Sequence, residues 1–188
     1  MEQKMLSFDM STKSTGWSYF EGQDLKGYGK ITTADSLEWD ERIKIMGDKI
    51  NVLIDQYKPI KVVAEDVPLE SQKGMKTLGQ LYTLHGILVY ICGLKEWNID
   101  LQFVPVSTWR RLVGLYDGTT EGKTRGKLKK HSIEKANRLF NQNLMWKSEH
   151  SKFNDDDISD SELIGYSTFI AEKQESMVIG RKAKIKKK

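Results

Sequence analysis

Four carboxylates stand where a carboxylate is costly, and their spacing suggests a common chemistry. Asp9 closes the short apolar run Met5-Leu6-Ser7-Phe8; small polar residues and Gly16 follow, then a second alternation, Trp17-Ser18-Tyr19-Phe20. Glu65 closes a β-branched run, Ile60-Lys61-Val62-Val63-Ala64. An acid in a strand buried on both faces needs a hydrogen-bonded structural role or a bound cation to offset its lost hydration. A third group, Asp155-Asp156-Asp157-Ile158-Ser159-Asp160, opens an apolar-periodic stretch. Asp157 and Asp160 are three apart and can share one helical face. Acids in a first helical turn also suit the helix dipole, and spacing does not exclude Asp155 or Asp156. Two strand acids and a helical pair form an oxygen-rich set of the kind that holds Mg²⁺ or Mn²⁺. Three scattered histidines and one cysteine argue against a structural zinc site.

The elements that must carry these acids follow from periodicity and turn residues. A strand, a tight turn and a second strand cover residues 5–20, and Leu25–Thr32 reads as a third. Asp35 or Ser36 can cap a long helix to about Tyr57, which Lys58-Pro59 stops before the Glu65 strand. Residues 75–97 read as a helix in which Met75, Leu78, Leu81, Tyr82, His85, Leu88, Val89 and Cys92 make one stripe. Leu84, Ile87, Ile91 and Leu94 widen that stripe to most of the circumference, so the helix needs two buried contacts. One can be the sheet; the second is another helix of the chain or the same helix of a second copy. Asp100–Val104 is a fifth strand ended by Pro105, and Ser107 can cap a short helix over 108–113 that carries Trp109, expected in the core. A glycine- and threonine-rich loop over 114–126 leads to a helix ending near Asn143, an irregular connection follows, and a last helix covers about 158–174.

At 188 residues one compact domain is expected, here 1–174, followed by a basic tail, 175–188. The last eight residues hold six basic groups; the other 24 basic residues face 26 acidic ones, so the net charge of +4 sits in the tail. Such a tail either attracts polyanions without reading sequence or only aids solubility. A second basic run, Lys123, Arg125, Lys127, Lys129 and Lys130 against Glu121, leads into a helix start, itself an anion site; it is either a solvated face or a phosphate contact. No apolar run reaches membrane-span length, Met1-Glu2-Gln3-Lys4 is no signal peptide, and Cys92 is expected as a buried apolar residue, all in keeping with the cytosol.

The ordered segments Leu6-Ser7-Phe8-Asp9-Met10-Ser11 with Thr15-Gly16-Trp17, Val63-Ala64-Glu65-Asp66-Val67, Leu78-Gly79-Gln80 with His85-Gly86, Val104-Pro105-Val106-Ser107-Thr108-Trp109-Arg110, and Asp157-Ile158-Ser159-Asp160-Ser161 span almost the whole chain. In this order they resemble the RuvC family of Holliday junction resolvases, within the RNase H-like superfamily, and phage-encoded members look closest. The resemblance implies an α/β fold: a five-stranded mixed sheet flanked by helices, with an antiparallel edge hairpin and a crossover that sets the Glu65 strand beside the Asp9 strand. It implies Asp9, Glu65, Asp157 and Asp160 as ligands of two Mg²⁺ ions (or Mn²⁺), roughly 4 Å apart in such sites. Arg110 and Lys127 look like the family's basic residues near the scissile phosphate, with Lys123, Arg125, Lys129 and Lys130 as further DNA contacts. The implied protein is a homodimer paired through the 75–97 helix, which cuts opposed strands of a four-way junction to 5′-phosphate and 3′-hydroxyl ends in the cytosol of a bacterium or a phage-infected host. Two departures stand out: Pro68-Leu69 replaces the aromatic residue that often follows the glutamate segment, and the basic tail is not a general family feature.

Three other readings compete. A broader fork or flap endonuclease would fit the missing aromatic residue. A catalytically silent junction binder would not need all four acids. An actin-like ATPase would need a second phosphate-binding hairpin, and the sequence offers none.

Overall fold

The computed structural model describes residues 3–67, 74–116 and 124–185, with side chains as far as Met177. Pro68-Leu69, Lys123 and the last lysines lie outside the described residues. Strands β1 (Lys4–Asp9), β2 (Ser14–Glu21) and β3 (Asp24–Thr32) precede helix α1 (Trp39–Tyr57) and strand β4 (Lys61–Glu65). Helix α2 (Met75–Gly93), strand β5 (Asp100–Val104) and helices α3 (Val106–Leu112), α4 (Arg125–Phe140) and α5 (Asp156–Ile185) complete the chain. The strands form one sheet in the order β3-β2-β1-β4-β5. The hairpin pairs are antiparallel; β1–β4 and β4–β5 are parallel, as they must be when α1 and α2 carry the chain back between strands.

β1 runs through the middle, which is why its apolar run is continuous: Met5, Leu6, Ser7 and Phe8 are all buried. Side chains alternate across the sheet. Leu6, Phe8, Val62 and Ala64 face α1 and α2, packing with Ile50, Ile54, Leu84 and Leu88. Met5 and Val63 face the other side, with Trp109, Leu163 and Ile164. By the same alternation Asp9 and Glu65 belong to that second side, one step beyond the Phe8–Ala64 pair in the parallel register. So the sheet itself sets the two acids on adjacent strand ends.

Glycine permits α5 to reach them. A Cβ at Gly16, the β2 partner of Asp9, would run into the main-chain carbonyl of Asp157, and one at Gly165 would meet Ser7 and Phe20. The first turn of α5 therefore lies directly on the β1–β2 hairpin.

Several boundaries differ from expectation for identifiable reasons. α1 starts at Trp39 rather than after Asp35 or Ser36, because the Asp35 carboxylate accepts from Lys13 Nζ at 2.7 Å and Lys152 Nζ at 3.0 Å. Glu38 caps α1 instead, its main-chain N–H donating to Glu41 Oε2 at 3.0 Å. α2 stops at Gly93, short of Trp97; Lys95 turns to Asn51 and Asp55, and Trp97 Nε1 donates to the Pro59 carbonyl. α3 begins one residue before Ser107, behind Pro105. α5 continues unbroken past residue 174 to Ile185. The expected stripe of α2 divides: Leu81, Leu84, His85, Leu88, Ile91 and Cys92 are buried, whereas Met75, Tyr82, Val89, Tyr90 and Leu94 are exposed. Among the described residues no helix is long and apolar enough to cross a membrane.

Candidate active site

At the carboxyl ends of β1 and β4 a cleft of about 590 Å³ opens, walled by Asp9, Glu65, Asp156, Asp157 and Asp160. The acids arrive on three supports, β1, β4 and α5. Asp9 and Glu65 come from the sheet, the three aspartates from the first turns of α5, and Arg110 from α3 on the opposite wall. The Asp9 carboxyl is held well above its usual range, first by burial and then by the negative charges of Glu65, Asp160 and Asp157, with Arg110 acting against the rise. Burial pushes Asp160 up to about 7, opposed by Arg110 and by a hydrogen bond from Ser132. Asp157 is raised as well, again chiefly by burial, against a hydrogen bond from Ser14.

The partners of these oxygens are specific. Glu65 Oε2 accepts from Trp109 Nε1 at 2.9 Å. Ser14 Oγ donates to Asp157 Oδ2, and Ser132 Oγ to Asp160 Oδ1. Arg110 stands 3.9 Å from Asp160 Oδ2 and 5.0 Å from the centre of the Trp109 ring. Asp156 is ion-paired with Lys129, and Asp155 with Lys30 at 3.1 Å. Among the described residues no three His, Cys, Asp or Glu side chains are already closed into a coordination shell. The donor set nevertheless fits a hard divalent cation: Asp9, Glu65, Asp157 and Asp160 converge on one water-accessible cleft, and burial raises the carboxyls of the three aspartates.

Known proteins resemble this chain in sequence and in fold. The crossover junction endodeoxyribonuclease RuvC of Synechocystis sp. is 26% identical over 117 residues, covering 60% of this chain and 68% of that protein. The protein of the same name from Dictyoglomus thermophilum is 25% identical over 114 residues, covering 58% and 70%. Among solved structures, Thermus thermophilus RuvC in complex with a Holliday junction substrate superposes with a TM-score of 0.65 over 92% of this chain and 96% of that one, at 7% identity. The yeast mitochondrial Holliday junction resolvase matches with a TM-score of 0.55 over 96% and 86%, at 14% identity. In sequence and in fold this chain resembles the RuvC family. No protein-family model matches it. At such low identity the solved structures speak for the fold alone, the RNase H-like sheet with flanking helices.

Within this cleft the expected site residues are sorted by helical phase. Asp9, Glu65, Asp157, Asp160 and Arg110 all line it. On α4, Arg125 and Lys129 line it too, being four apart and so on one face. Lys127, expected at the scissile phosphate, lies two positions round the helix and is not among the described lining residues. Lys130 is also on the outer surface, 3.8 Å from Glu134. Lys123 lies outside the described residues. Sequence reasoning missed Trp109, Ser14 and Ser132 as partners of the acids. Ser14 could have been suspected from its place in the turn after Asp9; nothing in the sequence points to Ser132. His85, expected on the stripe of the 75–97 helix, is buried on the α2 wall and stacked on Phe103 at 4.4 Å.

Proposed function

We propose that this chain is a Holliday junction resolvase, a metal-dependent endodeoxyribonuclease that hydrolyses phosphodiesters in four-way DNA junctions. The observation that carries the proposal is the cleft itself. Acids from two strands and one helix meet there, with Arg110, Arg125 and Lys129 on its walls, in a chain whose curated relatives are crossover junction endodeoxyribonucleases. Asp9, Glu65, Asp157 and Asp160 would hold the ions, two Mg²⁺ or Mn²⁺. Once bound, such ions supply Lewis-acid chemistry, making water nucleophilic and offsetting charge on the leaving 3′-oxygen. Asp9, Asp157 and Asp160 are held above the usual carboxylate range, so at these three ion binding and ionisation are linked. Arg110, raised over the Trp109 ring at the cleft wall, is placed to donate to a non-bridging phosphate oxygen and stabilise the charge that builds there. Arg125 and Lys129 stand at the start of α4, where the helix amino end also favours a phosphate. The products are a 5′-phosphate and a 3′-hydroxyl.

The exposed apolar side of α2, with Tyr82, Val89, Tyr90 and Leu94, supports a homodimer paired through that helix, which would bring two clefts to opposed strands. The basic stretch from Arg181 adds attraction to phosphate without reading sequence. The enzyme works in the cytosol. Incubating the purified protein with Mg²⁺ or Mn²⁺ on a four-way junction, beside fork, flap and linear duplex, tests the reading. Paired, ligatable nicks on the junction are expected. Binding without metal-dependent cleavage would make the protein a silent junction binder, and equal cutting of flaps would make it a broader endonuclease.

A further inference from the structure

Glu65 and the four aspartates of residues 155–160 fall into two groups by the hydrogen-bond donors described for each. Asp155 accepts from Lys30 Nζ at 3.1 Å through Oδ1 and from the Met145 main-chain N–H at 2.9 Å through Oδ2. Asp156 takes the Lys129 ammonium. For Asp157 and Asp160 the hydrogen-bond donor is a serine hydroxyl, from Ser14 on β2 and from Ser132 on α4. For Glu65 Oε2 it is the Trp109 indole on α3. A lysine cancels a carboxylate's charge, so a cation must displace it. A hydroxyl or indole N–H fixes the orientation of the carboxylate and leaves its charge in place. Resting on the metal-site reading above, we propose that Trp109, Ser14 and Ser132 are positioning residues that aim Glu65, Asp157 and Asp160 at the divalent ions.

Burial makes this more than incidental contact. Trp109 is fully buried, 0% exposed, and an indole N–H can only donate. Inside a core it must find an acceptor, and the acceptor here is a cleft acid. Ser132 is 1% exposed and donates across the α4–α5 contact. Three elements that supply no acid, β2, α3 and α4, thus each set the angle of one. Partners of this kind typically change metal affinity or activity by about 10–100-fold.

Calorimetry of Mn²⁺ binding, without DNA, tests the proposal on the full chain. Trp109→Phe, Ser14→Ala and Ser132→Ala are each expected to weaken Mn²⁺ by about tenfold or more. Ser14→Thr, which keeps the hydroxyl, should restore binding. The Mn²⁺ concentration for half-maximal junction cleavage should move by the same factor as the calorimetric affinity, with metal-free junction binding unchanged. Ser161→Ala is the control: the hydroxyl of that buried serine donates to the Ile158 carbonyl within α5 and not to a carboxylate. The proposal is overturned if the serine variants bind Mn²⁺ as the wild type does, if Ser161→Ala weakens it equally, or if the wild type binds none. Should Trp109→Phe fail to fold, the two serine variants still decide. A wild type that binds Mn²⁺ but leaves junctions uncut removes the nuclease reading, while calorimetry still scores the positioning one.

Discussion

Replacing Asp160 by asparagine should stabilise the metal-free protein at neutral pH, and by an amount that depends on pH in a defined direction. Burial pushes this carboxyl from 3.8 to about 7. The unfolded chain gives up the proton near 3.8, whereas the folded chain keeps it to about 7. Between those values the folded state holds more protons, so stability falls as pH rises, and the loss is complete above about 7. A shift of about three units corresponds to roughly 4 kcal/mol as an upper bound. Asparagine keeps an oxygen that can accept from Ser132 and carries no charge. Arg110, 3.9 Å away, already opposes that rise, so the loss of this partner is contained in the bound. Relaxation and water penetration around the carboxyl reduce the gain to about 2–3 kcal/mol. At about 2–4 °C per kcal/mol for a chain of this size, Tm should rise by roughly 5–10 °C. Thermal unfolding in EDTA from pH 4 to pH 8 reads this out. The two proteins should unfold alike near pH 4, diverge up to pH 7 and run parallel above it. Excess Mn²⁺ at pH 8 should then raise the wild type and leave Asp160→Asn behind. Identical pH profiles in EDTA would refute the argument that the cleft acids are crowded enough to need a cation.

Asp9→Asn, Glu65→Gln and Asp157→Asn should each abolish junction cleavage while metal-free junction binding, followed by gel shift, stays near the wild-type level; a variant that still cuts at a near-native rate is not a ligand. Val89→Glu or Tyr90→Glu, at exposed positions on α2, should give a folded, soluble protein that sediments as a monomer, whereas Leu88→Glu, in the core, should not fold; a wild type already monomeric at micromolar concentration would remove the case for paired cutting. Gly16→Ala should cost at least about 2 kcal/mol in urea unfolding, because its Cβ would overlap the Asp157 carbonyl and lift α5 off the hairpin; an unchanged midpoint would show that the contact is not tight.

What the sequence made legible is what local pattern controls. Continuous apolar runs ending in Asp9 and Glu65 are central strands because only a strand buried on both faces reads that way, and the intervening helix forces the parallel pairing that sets them side by side. What stayed hidden depends on phase or on distant partners. The start of α4 behind a glycine- and threonine-rich stretch carries no frame mark, so Lys127 and Lys129 could not be told apart; the structure puts Lys129 with Arg125 on the cleft. α2 is apolar on nearly every side, which conceals that Val89 faces outward. The α1 cap moved because Asp35 is claimed by Lys152, far along the chain. The choice among Asp155, Asp156, Asp157 and Asp160 was beyond spacing altogether, since consecutive acids at a helix start satisfy several registers at once. Their partners separate them. Lys30 and Lys129 pair directly with the first two, whereas the hydrogen-bond donors to the second two are Ser14 and Ser132, with Arg110 standing 3.9 Å from Asp160. A cation must displace a lysine ammonium but not a hydroxyl, so on the proposed metal site the identity of the donor discriminates where the position of the acid does not.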